Sequence, residues 1–192
     1  MLYDLVKENR SYRGYKEGYT ISEEDLKDLI NMARITASGA NLQPLKYRIV
    51  TDSSEVDALN SLTRWAKMLT NITLPHEGKY PNAYIVVCVD KDICKNEETA
   101  KMDIGIAAQT ILLGAVEKGL GGCMLGNFDK EELNKALSLT ETMSPQLIIA
   151  IGKPDEKVVL VDTSDDGSTK YYRDENDIHY VPKRKLEDIL IR

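Results

Sequence analysis

Ala83-Tyr84-Ile85-Val86-Val87-Cys88-Val89 form an unbroken apolar run of strand length. A strand that is wet on one face alternates apolar with polar residues, so a run that is apolar throughout reads as a central strand. Around it the chain offers mostly helices. Ser22 followed by Glu23, Glu24 and Asp25 is a capped, acid-rich helix start, and Leu26, Leu29, Ile30, Ala33 and Ala37 carry an apolar stripe to about residue 37. Residues 55–69 follow the helical period through Val56, Leu59, Leu62, Ala66 and Leu69.

The longest helix is expected over residues 98–118, where Ile104, Ala107, Ala108, Ile111, Leu112 and Ala115 repeat at helical spacing and Gly119 closes it. Its small residues leave room for a second helix or a second subunit, and a buried position would explain them equally well. Asp129 caps a helix that runs through Leu137. Short strands are expected at residues 47–50, 147–151 and 158–161, and a strand or an extended turn at 121–127. A turn at Asp165-Asp166-Gly167-Ser168 predicts a hairpin from residues 158–161 to Lys170-Tyr171-Tyr172. A basic loop and a short helix around Leu186, Ile189 and Leu190 end the chain.

With 192 residues, one domain spanning 1–192 is expected. The net charge of −6 argues against partnership with nucleic acid or an anionic membrane surface. Three cysteines without a CxxC pair, and two histidines, make neither a metal framework nor a disulfide one. The opening Met1-Leu2-Tyr3-Asp4 has no leader pattern and no apolar run reaches membrane-spanning length, so the expected compartment is the cytoplasm. Asn71-Ile72-Thr73 matches a glycosylation acceptor that has no meaning in that compartment.

Against this acidic background two basic clusters stand out, Asn9-Arg10-Ser11-Tyr12-Arg13 and Lys183-Arg184-Lys185. Arg10 and Arg13 are three apart and on a helix end would point to one side, beside the Ser11 hydroxyl, as a corner for a phosphate or an electron-rich ring. A solvated basic turn is the alternative reading. Gly119-Leu120-Gly121-Gly122 closes a helix and leads into a strand, the reverse of a dinucleotide-binding loop, so capping and close packing account for it. Asp103 and Glu117 have no visible partner for acid–base work. Polar and basic pieces without a catalytic acid, base or nucleophile fit a phosphorylated cofactor that carries the chemistry itself.

In their order and spacing these pieces resemble the FMN-dependent nitroreductase family over nearly the whole chain. The resemblance rests on Arg10-Ser11-Tyr12-Arg13, on Ser38-Gly39-Ala40-Asn41-Leu42-Gln43-Pro44, and on Asp103-Ile104-Gly105-Ile106-Ala107-Ala108-Gln109 running into Gly119-Leu120-Gly121-Gly122. It continues through Leu125-Gly126-Asn127-Phe128-Asp129, Ile149-Ala150-Ile151-Gly152-Lys153-Pro154 and Pro182-Lys183-Arg184-Lys185. It implies an α+β, three-layer α/β/α fold. A central, mainly antiparallel mixed sheet would be flanked by helices, with a C-terminal tail extending onto the partner subunit of a homodimer.

The resemblance further implies FMN at the subunit interface, NADH or NADPH as reductant, and a small-molecule electron acceptor such as a nitroaromatic or a quinone, reduced in a ping-pong reaction. Arg10 with Lys183 or Arg184 would hold the phosphate. Ser11 and Arg13 would reach the ribityl chain and the pyrimidine edge, with Arg13 supporting negative charge there. Ser38, Gly39 and Asn41 would come from the partner, and the backbone at Leu125 and Gly126 would face flavin N5. Read from the residues themselves, 70–82 with Pro75, Gly78 and Pro81 form a loop and a candidate lid. Trp65, this loop and Phe128 are the candidates for shaping the acceptor pocket, a place in the core being the alternative for the two aromatics. Many relatives carry a cation at Asn9, Pro-Ser-Ser at Ala37-Ser38-Gly39 and Trp at Leu45. Reductive dehalogenation, flavin breakdown, or a non-catalytic flavin sensor or store are the alternatives on the same scaffold.

Overall fold

A computed structural model describes residues 1–66, 68–69 and 72–191. The apolar run becomes β2 (Ala83–Asp90), an interior strand of a four-stranded sheet in the order β1-β2-β4-β3, with β1 at Leu45–Val50, β3 at Gly121–Leu125 and β4 at Met143–Gly152. All three pairings in this sheet are antiparallel.

Strand alternation sorts β2 between two cores. Ala83, Ile85, Val87 and Val89 join Ile149 and Ile151 of β4 under one layer of helices, formed by α2 (Glu23–Arg34) and α4 (Lys101–Glu117). Tyr84, Val86 and Cys88 join Ile148 and Ala150 under the other, where α3 (Ser53–Leu62) and α5 (Lys130–Ala136) supply Leu59 and Leu133. The register agrees, with Ile85 opposite Ile149 and Val86 opposite Ile148. These are the three layers α/β/α. Each Val or Ile that is fully withdrawn from water here contributes roughly 1.5–3 kcal/mol, which is why the run could not lie at an edge.

The local signals set most element ends. The Ser22 hydroxyl accepts the Asp25 N–H at 3.0 Å, and the Asp129 carboxylate accepts from Glu131 and Glu132. In α4, Gly114 lies against Met32 and Leu29 of α2, where any side chain would collide. The small residues of α4 thus serve a neighbouring helix on one face, while Met102 and Ile106 stay exposed on the other.

Three expectations are corrected. The 55–69 helix runs instead over Ser53–Leu62, because Asp52 caps it early and the Thr63 hydroxyl turns back onto the Leu59 carbonyl. Ala66 then takes a left-handed φ of 41°, which no helix continues through, and Lys67 lies outside the described residues. The helix expected to reach residue 37 stops at Arg34. The third concerns the turn at residues 165–168. It forms, with the Gly167 N–H on the Ser164 carbonyl, but it closes no hairpin.

Instead β5 (Val158–Asp162) runs parallel to β7 (His179–Lys183), a strand where a basic loop is expected from Tyr180, and β6 (Tyr172–Arg173) pairs antiparallel with β7. Turn chemistry decides this. The Asp174 carboxylate accepts from the N–H groups of Asn176 and Ile178, and Asp177 takes a φ of 58°, so the tight turn lies between β6 and β7. Among the described residues, the parallel pairing of two named strands therefore lies in this second sheet, order β5-β7-β6. A last short helix, α6 (Leu186–Ile189), and the opening one, α1 (Leu2–Glu8), bury none of their side chains. No described helix is long and apolar enough to cross a membrane.

Candidate functional site

The basic corner is built on an extended segment, not on a helix end. Beyond α1 the backbone leaves the helical region at Asn9, and Ser11 then forms a parallel bridge with Gly122 of β3, with the Tyr12 N–H on the Gly122 carbonyl at 3.1 Å. Gly121 and Gly122 permit this approach. A Cβ on the first would enter the Tyr12 ring, and on the second it would strike the Ala150 carbonyl oxygen. Close packing is therefore what the glycine pair does.

Arg10 donates to the Val6 carbonyl at 2.7 Å, and its buried Nε has no partner among the described residues. Burial holds its guanidinium below the ordinary arginine range. The Arg13 guanidinium lies over the Tyr171 ring at 5.1 Å and donates to the Ser11 carbonyl at 3.2 Å. The Arg13 backbone N–H goes to the Glu156 carboxylate, whose other oxygen pairs with Arg173. Both members of that pair are about 95% buried, with relative exposures of 4% and 5%, and Arg173 also donates to Asp177 at 2.9 Å. Glu156 thus ties the basic corner to the β6–β7 hairpin.

The hairpin supplies the opposite wall. Residues two apart on a strand share a face, so His179, Val181 and Lys183 of β7 stand together. With Asn9, Arg10, Ser11, Arg13 and Tyr171 they line a cavity of about 300 Å³. The two basic clusters of the sequence meet here through Lys183, while Arg184 follows the strand and is exposed outside this lining. His179 is 2% exposed, and neither ring nitrogen has a partner among the described residues. Burial, then the charges of Arg13 and Arg173, lowers its pKa to about 4, so the imidazole is neutral at pH 7.

Ser38, Gly39 and Asn41 do not join this cavity. Their loop passes through left-handed φ values at Ala40, Asn41 and Gln43, a costly path for residues with side chains. It is held by Asp103 at the start of α4, which accepts from the Ser38 hydroxyl at 2.6 Å and from the Gly39 N–H at 3.0 Å. Asp103 does have partners, then, and its work is to shape a loop. A second cavity of about 220 Å³ opens beside it, lined by Ser38, Gln43, Leu45, Tyr47 and Asp103 among others. Burial and the nearby Asp103 push the Tyr47 phenol up to about 12.

Leu125 packs into the core, whereas a Cβ on Gly126 would meet open space, leaving the backbone bare at the end of β3. The next residue, Asn127, accepts the Arg64 N–H at 3.4 Å. Trp65 lies just beyond and lines a third cavity of about 410 Å³ with Asn60, Thr63, Ile72, Thr73, Leu74, Pro75 and Tyr80. Phe128 packs, half-buried, on the core of that side. Thr70 and Asn71, in the expected lid, lie outside the described residues.

Sequence reasoning missed His179, Tyr171, Glu156 and Arg173. The alternation His179-x-Val181-x-Lys183 was available as a one-faced strand signal. Nothing local announces a Glu156–Arg173 pair formed across a loop.

The model of the nitroreductase family matches residues 6–153. A protein of Archaeoglobus fulgidus bearing the name NADH dehydrogenase/NAD(P)H nitroreductase is 29% identical over 159 residues, covering 80% of this chain and 86% of its own. A crystal structure with the same name from Parabacteroides distasonis is 27% identical, with a TM-score of 0.66, over 81% of this chain and 88% of its own. An FMN-dependent nitroreductase from Clostridium difficile is 26% identical, with a TM-score of 0.64, over 80% and 87% of the two chains. A basic corner folded against a glycine edge of an antiparallel sheet, and a family match over residues 6–153, lead to one assignment: the chain belongs to the nitroreductase family.

Proposed function

We propose that the protein is an FMN-dependent oxidoreductase that draws hydride from NADH or NADPH and reduces an electron-poor small molecule such as a nitroaromatic or a quinone. The observation that carries this reading is the cavity between Arg10, Ser11, Arg13 and Lys183, where cations converge in a chain of net charge −6 and a buried guanidinium nitrogen has no partner among the described residues. Unpaired buried donors are costly, and an anionic ligand satisfies them. The similar C. difficile protein named FMN-dependent supports the choice of cofactor.

Bound FMN supplies the electron-carrying chemistry. The chain's residues supply position and charge. Arg10 and Lys183 would hold the phosphate, with Arg184 beside the same rim, and Ser11 the ribityl chain. Arg13, fixed through its N–H on Glu156 and its face on Tyr171, would set a positive charge at the pyrimidine edge, where reduction places negative charge. The bare backbone at Leu125 and Gly126 would lie near N5. Ser38, Gly39 and Asn41, held by Asp103 in their own cavity, would reach a flavin of the other subunit. A homodimer is supported by the apolar surface left open at Leu2, Tyr3, Met102 and Ile106, and a tail reaching the partner by exposed Leu186, Ile189, Leu190 and Ile191. The cavity beside Trp65 would admit the acceptor.

Titration with FMN tests the binding half of this proposal: saturable binding near one per chain is expected, and its absence refutes it. Dilution below the dimer's dissociation range should release the flavin, and a monomer that keeps it would contradict a shared site. A panel of nitroaromatics, quinones and haloaromatics given to the reduced protein should show turnover with the first two classes.

A further inference from the structure

His179 lies in the tail, beyond the span matched by the family model, and the assignment of phosphate and ring contacts above makes no use of it. It is withdrawn from water, yet both its nitrogens are unpaired among the described residues, and it faces the same cavity as Arg10 and Arg13. Buried polar atoms are nearly always satisfied, so two orphans on one ring point to a ligand.

The strand tells which end of that ligand. His179 and Lys183 stand on one face of β7, four residues and therefore about 13 Å apart. Contact runs from His179 to the Tyr171 ring at a centroid distance of 5.4 Å, and from Tyr171 to the Arg13 guanidinium at 5.1 Å. His179 is thus grouped with Arg13, while Lys183 marks the far end of the strand. A neutral imidazole offers one donor and one acceptor. The pyrimidine edge of a flavin is an imide, an N–H flanked by two carbonyls, and can meet either. A phosphate wants donors and positive charge, which this ring, beside two arginines, does not add.

We propose that His179 is a flavin-ring ligand: its neutral imidazole hydrogen-bonds the pyrimidine edge beside Arg13, giving ring recognition independent of the phosphate. This rests on the FMN reading above. The test compares FMN, riboflavin and the bare ring compound lumiflavin, by fluorescence quenching, on wild type, His179→Leu, His179→Gln and Lys183→Ala. His179→Leu should weaken all three flavins by about tenfold, His179→Gln should recover most of that loss, and Lys183→Ala should weaken FMN alone. The chain has only two histidines, so labelled imidazole resonances give a second readout that a merely structural role would not move. Those of His179 should shift when lumiflavin binds wild type, and those of His76 should not.

Lumiflavin affinity unchanged in His179→Leu overturns the inference, as does a loss confined to FMN, which would place the ring at the phosphate. Silent His179 resonances overturn it even where His179→Leu fails to fold. If wild type binds no flavin at all, the FMN reading itself falls, a separate outcome from wild type binding all three with His179 indifferent.

Discussion

Glu156→Ala should be among the most damaging single changes outside the two cores. In the native chain this carboxylate, 4% exposed, meets Arg173, 5% exposed, and the Arg13 backbone N–H. Removing one partner of a buried pair leaves the other charge uncompensated, at about 3–5 kcal/mol. Asp177 still faces Arg173 at 2.9 Å, but it is 45% exposed and offsets only part, which favours the low end, about 3 kcal/mol. The stranded Arg13 N–H adds about 1 kcal/mol. At roughly 2–4 °C per kcal/mol for a chain of this size, the total of about 4 kcal/mol lowers Tm by about 8–16 °C. Urea unfolding at fixed protein concentration measures it. Glu156→Leu combined with Arg173→Met should regain most of the roughly 3 kcal/mol, since an apolar pair of similar volume replaces a buried ion pair at little cost. A single variant within about 1 kcal/mol of wild type, or a double variant no better than the single one, would refute the reasoning.

Gly122→Ala drives a methyl into the Ala150 carbonyl and the Leu112 side chain, and should cost about 1–3 kcal/mol in thermal unfolding while displacing the Arg10–Tyr12 segment. His179 has a folded pKa of about 4 against 6.5 in the unfolded chain, so on acidification the unfolded chain takes up the proton first. Its contribution is therefore intact above about pH 7.5 and is lost as pH falls toward 4, on the order of 3 kcal/mol in all, and denaturant titrations across that range should lose this slope in His179→Gln. Arg13→Ala in flavin-loaded protein should lower the reduction potential by about 30–60 mV, read by equilibrium with a reference dye, and an unchanged potential would remove Arg13 from the ring.

The layers of the fold were legible because their signals are local. The apolar run at residues 83–89 has no polar face to give to water, and Ser22 and Asp129 carry their own capping oxygens. The end of α3 was hidden, since Ala66 and Leu69 keep the helical period while Thr63 turns its hydroxyl back onto the Leu59 carbonyl and Ala66 turns left-handed. The tail misled for a similar reason. Asp165-Asp166-Gly167-Ser168 is a real turn, but Asp174 makes the better one, and strand partners depend on which turn brings strands together. At the site, two basic clusters against an acidic chain pointed to a common anion. Glu156 gave no such sign and His179 only that of a one-faced strand, because what distinguishes both is burial beside residues distant in sequence.

The absorption spectrum of FMN-loaded protein under anaerobic conditions, recorded before and after addition of NADH or NADPH, tests the central claim most directly. The flavin band should bleach with at least one of the two nicotinamides and return when a nitroaromatic or a quinone is added. Protein that takes up no FMN, or holds FMN that neither nicotinamide bleaches, would contradict it.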